Sequence, residues 1–264
     1  MAAVALTTKQ LKTYAYPIAI IIVISLIIYY VFFTNVRPSI DEIWVINLDK
    51  DSDRLKHFLT QEPYLPTKIQ RWKATYGKDE DRKVANKDGV HYIISRSNNA
   101  DENKANNKVI SKPGEIGCWL SHKRLLTSLY RSKVPSNYGH LILEDDTVIP
   151  KDFNERWNKI RKTIPTDWDI VYLGINKMNG DRINDNVVRW KNDKSSGNWG
   201  THAYLVRHKA LKHILEKIEF MSAPIDVQYY NMLGALNIYI VDPPLITVNE
   251  EMESSIDQQQ ERVM

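Results

Sequence analysis

Residues 14–33 carry no charge, and this run constrains the architecture of the chain more than any other stretch. A helix needs about 20 consecutive apolar residues to cross a bilayer core. A cleaved leader has a shorter apolar region, ~7–15 residues, followed by small residues at the cleavage point. Here the run ends in Tyr29, Tyr30, Val31, Phe32 and Phe33. The pattern predicts an uncleaved signal anchor over residues 14–34, with Tyr14, Tyr16, Tyr29 and Tyr30 near its interfaces. The competing reading, a buried core helix, would need one-sided periodicity, and none is present. Lys9 and Lys12 precede the run, and Arg37 follows it with Asp41 and Glu42 close behind. The positive-inside rule then places residues 1–13 in the cytosol and the bulk of the chain across the membrane, a type II orientation. No N-x-[ST] sequon occurs to support a lumenal domain.

The 264 residues hold 36 Lys and Arg against 32 Asp and Glu, a formal charge of +4. That near balance excludes the strongly basic face of a protein that coats DNA or RNA, so no nucleic-acid partner is expected. With 43% hydrophobic and 26% charged residues the chain is not disordered overall. Its single cysteine, Cys118, has no partner for an intrachain disulfide, and on this reading no cysteine-based zinc site can be assembled. A large domain needs no disulfides, so an oxidising compartment stays open.

After a short stem at residues 35–42, apolar runs alternate with amphipathic ones. Strands are predicted at 43–48, 68–74, 139–143, 169–173, 201–206 and 238–241, with a hairpin around 187–190. Helices are predicted at 51–61, 113–131, 152–164, 209–218 and 225–233. Such alternation indicates an α/β sheet covered on both faces. Residues 76–112 form a polar excursion, either a plain insertion or a loop flanking a cleft. Residues 250–264 read as an irregular tail.

Three motifs carry candidate chemistry. Glu144, Asp145 and Asp146 follow the strand at 139–143 directly. Packed carboxylates repel one another and call for a counter-cation, and oxygen ligands suit Mn²⁺ or Mg²⁺. Ligands of α/β sheets sit beyond the carboxyl ends of the strands, where this cluster falls. A solvated acidic turn is the bland alternative. The second motif runs from Asn47 to Arg54. Asn47 and Arg54 can contact a nucleotide, with Arg54 facing a diphosphate. Alternatively, Asp49 and Asp51 are the nucleophile and acid of a magnesium phosphohydrolase. The third runs from Pro113 to His122, where Gly114 and Gly117 let a helix start close to a ligand or another backbone. Cys118 has no histidine within a few residues on its own face by this reading, so it is taken as a small buried residue. Ser121 and His122 stand as donor contacts, with His122 otherwise an ordinary helix histidine.

Seven segments carry a resemblance in order: VINLDKDSDRL at 45–55, KATYGKD at 73–79, GEIGCWLSH at 114–122, LILEDD at 141–146, WDIVYLG at 168–174, GTHAYLV at 200–206 and PIDVQ at 224–228. The chain resembles glycosyltransferase family 25, the lipopolysaccharide and procollagen galactosyltransferases. The resemblance implies a GT-A-like nucleotide-sugar transferase fold over residues 43–249 behind the N-terminal transmembrane helix. It implies transfer of a hexose, galactose or glucose, from a UDP-sugar with inversion. It makes Glu144-Asp145-Asp146 the D-x-D-like element, with Asp146 holding Mn²⁺ (or Mg²⁺) against the UDP phosphates and Glu144 or Asp145 near the ribose or the metal's water shell. His202 is a further candidate metal ligand, and Asp226 and Asp145 the candidate catalytic acids, Asp226 as the base. Trp199 and Tyr204 either pack against a sugar or belong to the core. The acceptor is a glycan, a lipid-linked sugar or a hydroxylysine, and an anchored enzyme of this kind is expected in an ER- or Golgi-like lumen. A non-catalytic sugar- or nucleotide-binding module on the same fold is the remaining alternative.

Overall fold

The computed structural model describes residues 8–29, 36–79, 113–176, 178–191, 200–221, 223–230 and 235–252. Residues 80–112 of the expected excursion, Trp199, and residues 253–264 of the expected tail lie outside them.

The first element, α1 (Thr8–Tyr29), is a helix over most of the uncharged run. The side chains of residues 15–25 are all exposed. The expected span is not found, because among the described residues no helix is long and apolar enough to cross a membrane.

The rest is built on a sheet of β1 (Glu42–Asn47), β2 (Ile69–Lys73), β3 (Gly139–Glu144), β5 (Ile170–Gly174), β6 (Gly180–Asn184), β7 (Val187–Trp190), β8 (Ala203–Arg207) and β9 (Ile238–Val241). Their order is β2-β1-β3-β8-β5-β9-β7-β6. Strands β2, β1, β3, β5 and β9 run one way, and β8 is inserted antiparallel between β3 and β5. The hairpin β6–β7 closes one edge against β9. A separate pair joins β4 (Thr147–Val148) to β10 (Thr247–Val248).

Strands β5 and β8 are buried at every position, as is β3 up to its last residue. Continuous apolar runs of this kind are what a sheet covered on both faces requires. Alternation sends Ile142, Tyr172, Tyr204 and Val206 to one face, under α3 (Pro113–Tyr130), α5 (Leu211–Lys217) and α6 (Ile225–Tyr230). Leu141, Leu143, Val171 and Leu205 go to the other, with Phe58 of α2 (Ser52–Leu59) and with Phe153 and Trp157 of α4 (Phe153–Ile160). Most predicted elements are present within a residue or two. Helix α4 ends four residues sooner than expected, because Thr163 N bonds back to Ile160 O in a turn and Pro165 follows.

Helix α3 is clamped against the segment after β2. Thr75 N donates to Ser121 Oγ at 2.8 Å, and Arg124 Nη1 donates to Thr75 Oγ1 at 2.7 Å. A Cβ on Gly117 would stand 2.6 Å from Thr75 O and 2.9 Å from Gly77 N, both backbone atoms that cannot rotate away. Gly117→Ala is therefore expected to lower stability by roughly 1–3 kcal/mol. The check is urea unfolding, where an unchanged midpoint would show that the clamp has slack.

Candidate active site

Strands β2, β1, β3, β5 and β9 end on one side of the sheet, and the antiparallel β8 begins there. Residues 200–202, just before β8, therefore meet the end of β3. Glu144 N donates to His202 O at 2.9 Å, and Thr201 Oγ1 donates to Glu144 Oε1 at 3.0 Å. Glu144 shares the α3 face of the sheet with Ile142, and His122 Nε2 of α3 lies 3.6 Å from its Oε1. Burial opposes ionisation of Glu144, yet the nearby His122 and His202 rings and the Thr201 hydroxyl together hold its carboxyl below the usual range.

Asp145 is buried and fully engaged. Asn47 Nδ2 donates to its Oδ2 at 2.6 Å, and Arg54 Nη2 meets its Oδ1 at 2.5 Å. Asn47 is itself held by Arg71 Nε at 3.0 Å. Burial raises the Asp145 carboxyl above its ordinary value, and Arg54 and Asn47 oppose that rise. The same Arg54 nitrogen reaches Asp146 Oδ2 at 3.1 Å. The other oxygen of Asp146, Oδ1, is buried without a hydrogen-bond partner. Burial and the adjacent Glu144 charge push the Asp146 carboxyl up to about 6. A short buried array of carboxylates with one oxygen unanswered fits a hard divalent cation by its donor chemistry.

Glu144 and Asp146, with Cys118, line both of two adjoining chambers and so form the wall between them. The first is bordered by Arg54, Gly114, Gly117, Ser121 and His122. The second, of about 360 Å³, is bordered by Asn176, Gly200, His202, Asp226 and Met252. Asp226 sits in the first turn of α6, where Val227 N donates to its Oδ1 at 2.8 Å and Gly200 N to its Oδ2 at 3.2 Å. Burial raises its carboxyl despite those two bonds. Gly200 has φ +102°, which turns its N–H toward Asp226 at little conformational cost. Burial lowers the basicity of His202.

Of the sequence-predicted residues, Glu144, Asp145, Asp146, Arg54, Ser121, His122, His202 and Asp226 all border the cleft. Asn47 does not border it and braces Asp145 instead. Asp49 and Asp51, the phosphohydrolase pair, border neither chamber. Asp49 is exposed and paired with Arg71 and Lys73, both at 2.6 Å. Tyr204 is fully buried and belongs to the core, its hydroxyl 2.9 Å from His122 Nδ1.

Sequence reasoning missed three features. Thr201 was overlooked as a donor to Glu144, although it sits between the noted Gly200 and His202. Asn249 N donates to Asp146 O at 2.7 Å, so a segment read as the edge of an irregular tail pins the acidic turn. The judgement of Cys118 also needs correction. His122 is four residues on, one helical turn away on the same face. Among the described residues, Cys118, His122 and Glu144 are the group whose ligand atoms all lie within 4.8 Å of one another, whereas Asp146, Glu144 and His202 do not close to that degree.

Residues 40–229 match the family model described as Glycosyltransferase family 25 (LPS biosynthesis protein). The chain is 26% identical over 158 residues to procollagen galactosyltransferase 1 of Danio rerio, covering 58% of this chain and 24% of that protein. It is 24% identical over 183 residues to procollagen galactosyltransferase 1-A of Xenopus laevis, covering 68% and 28% respectively. The chain thus spans about a quarter of the length of these relatives. The family match takes in β1, the acidic end of β3, residues 200–202 and Asp226, and on that extent the chain belongs to glycosyltransferase family 25.

Proposed function

We propose that this chain moves a hexose, galactose or glucose, from a UDP-sugar to an acceptor hydroxyl on a glycan, a lipid-linked sugar or a hydroxylysine, with inversion at the anomeric carbon. The observation that carries the reading is the wall of Glu144 and Asp146 between two chambers, with cationic Arg54 on one side and the carboxyl of Asp226 on the other. The donor's diphosphate goes to the first chamber, where Arg54 and the amino-terminal turn of α3 offer positive charge. Asp146 and Glu144 are the residues that would hold Mn²⁺ or Mg²⁺, with His202 bordering the same chamber. Bound there, the cation would answer the charge that grows on the departing diphosphate.

The acceptor enters the second chamber. Asp226 takes the proton of its hydroxyl as the new bond to C1 forms and the bond from C1 to the diphosphate oxygen breaks. A carboxyl made more basic by burial suits this role, and the Gly200 and Val227 N–H groups fix its orientation. Asp145, expected to be catalytic, is better placed as the brace that aims Arg54, since both its oxygens are engaged. Membrane attachment through α1 is supported by the uncharged run and by the exposure of Ile18, Ile20, Ile21, Ile22, Val23 and Ile24.

Turnover of a panel of UDP-sugars, with and without Mn²⁺, tests the reading. Asp226→Asn should lower transfer by ~10²–10⁴-fold with UDP binding retained. Asp49→Asn should leave transfer unchanged. Wild-type turnover by the Asp226 variant would remove the proposed base.

The Asp146 carboxyl gives a second, independent check. A carboxyl raised to about 6 on folding holds its proton in the native state where the unfolded chain has lost it. Stability therefore falls as pH rises from near 4 through 6. Asp146→Asn removes this effect and should stabilise the metal-free fold at pH 7–8, by on the order of 2 kcal/mol, with no gain at pH 4. Melting curves across that range decide it. A variant less stable at pH 8 than the parent would mean that the Asp146 charge is already satisfied.

A further inference from the structure

Cys118, His122 and Glu144 meet where α3 crosses the end of β3. Cys118 is half-buried and borders both chambers, as does Glu144. His122 is 1% exposed, and its Nε2 is buried with no hydrogen-bond partner, turned toward Glu144 Oε1 at 3.6 Å. Its other nitrogen, Nδ1, lies 2.9 Å from Tyr204 OH, and that hydroxyl lies 3.2 Å from Tyr229 OH. A cation would take the tautomer in which Nδ1–H donates to Tyr204, and binding would release any proton on Nε2, the nitrogen that faces Glu144. A second group holding the far ring nitrogen is what orients a metal-binding histidine.

We propose that Cys118, His122 and Glu144 form a binding site for a borderline-soft divalent cation of the zinc class, which shares Glu144 with the pair that would hold Mn²⁺ or Mg²⁺ and differs from that pair in its sulfur and nitrogen donors. Sulfur, imidazole nitrogen and carboxylate oxygen are the donor types that zinc accepts, and three protein ligands leave a fourth position open to the cleft. Ligand atoms around one tetrahedral zinc stand roughly 3.3–3.7 Å apart, from bond lengths of ~2.0–2.3 Å. The three ligand atoms already lie within 4.8 Å of one another, so side-chain shifts of about 1–1.5 Å close the set. The thiol gives its proton to solvent as the sulfur–metal bond forms. Thr201 donates to the same Glu144 oxygen that faces His122, which keeps that carboxylate in place while α3 supplies the other two ligands.

Cobalt(II) binding to the full chain tests this directly. Cys118 is the only cysteine, so a near-ultraviolet sulfur-to-cobalt charge-transfer band can arise from no other residue. The expected result is such a band, displaced stoichiometrically by Zn²⁺ and absent in Cys118→Ser. Tyr204→Phe should weaken Zn²⁺ binding by about tenfold or more through loss of the ring's orientation. Cobalt bound without the sulfur band in the wild-type chain overturns the proposal whether or not either variant folds. Equal Zn²⁺ affinity of wild type and Cys118→Ser overturns it as well. The readout needs no donor sugar and no turnover, so its failure is separate from failure of the transferase reading.

Discussion

Three carboxylates cannot be brought together at a buried strand end without positive charge to answer them, and the local architecture follows from how that is met. Arg54 spans Asp145 and Asp146 with one nitrogen. It comes from α2, which the chain enters directly after β1. The short connection from Asn47 to α2 thus delivers both the cation and the amide that grips Asp145. The compensation stays incomplete, since Asp146 keeps one buried oxygen unanswered and Glu144 leans on His122 and Thr201. A site with charge still to be neutralised is suited to an incoming cation, and a fully neutralised one would only be a structural ion-pair network.

The inserted strand β8 assembles the remainder. In a wholly parallel sheet, the residues before a strand lie at the opposite end from the residues after its neighbour. Strand β8 runs against both β3 and β5, with Leu143 opposite Ala203, so residues 200–202 come to the functional end. His202 packs so closely on β5 that a Cβ at Gly174 would stand 2.5 Å from its Nε2. Gly200 then reaches across to Asp226. One reversal of strand direction brings Glu144, His202 and Asp226 to the same cleft.

Much of this was legible in the sequence, for local reasons. Continuous apolar runs gave β3, β5 and β8, and the acid triplet after β3 marked the end of the sheet where the cleft lies. The hairpin and the amphipathic helices were readable from turn residues and periodicity. What could not be read was long-range pairing. The antiparallel placement of β8, the pairing of β4 with β10, and the bond from Asn249 to Asp146 join segments far apart in the chain, and no local pattern encodes them. The division of labour inside the acid triplet was hidden for the same reason. Asn47 and Arg54 both read as nucleotide contacts until the fold put Asn47 against Asp145. Asp49 read as a candidate nucleophile, and the fold places it outside both chambers, paired with Arg71 and Lys73 of β2. The Cys118–His122 relation is a different case, because four-residue spacing on a helix is local and was available to be read.

That spacing also shows why a ligand site and a core can share one helix. Cys118, His122, Leu125 and Leu129 follow one another at intervals of four, three and four, a single stripe along α3. The stripe is apolar at Leu125 and Leu129, where it packs in the core beside the body of the sheet. It turns polar at His122 and Cys118, where β3 passes from Ile142 to Glu144. Tyr204, opposite Ile142 in register, stands at the changeover with its ring in the core and its hydroxyl on His122. Strand and helix thus exchange apolar for polar residues at the same height above the sheet. The chemistry at the top is held by the same packing that makes the core below, and so loosening Leu125 or Leu129 would disturb the cleft through α3 without touching any residue that lines it.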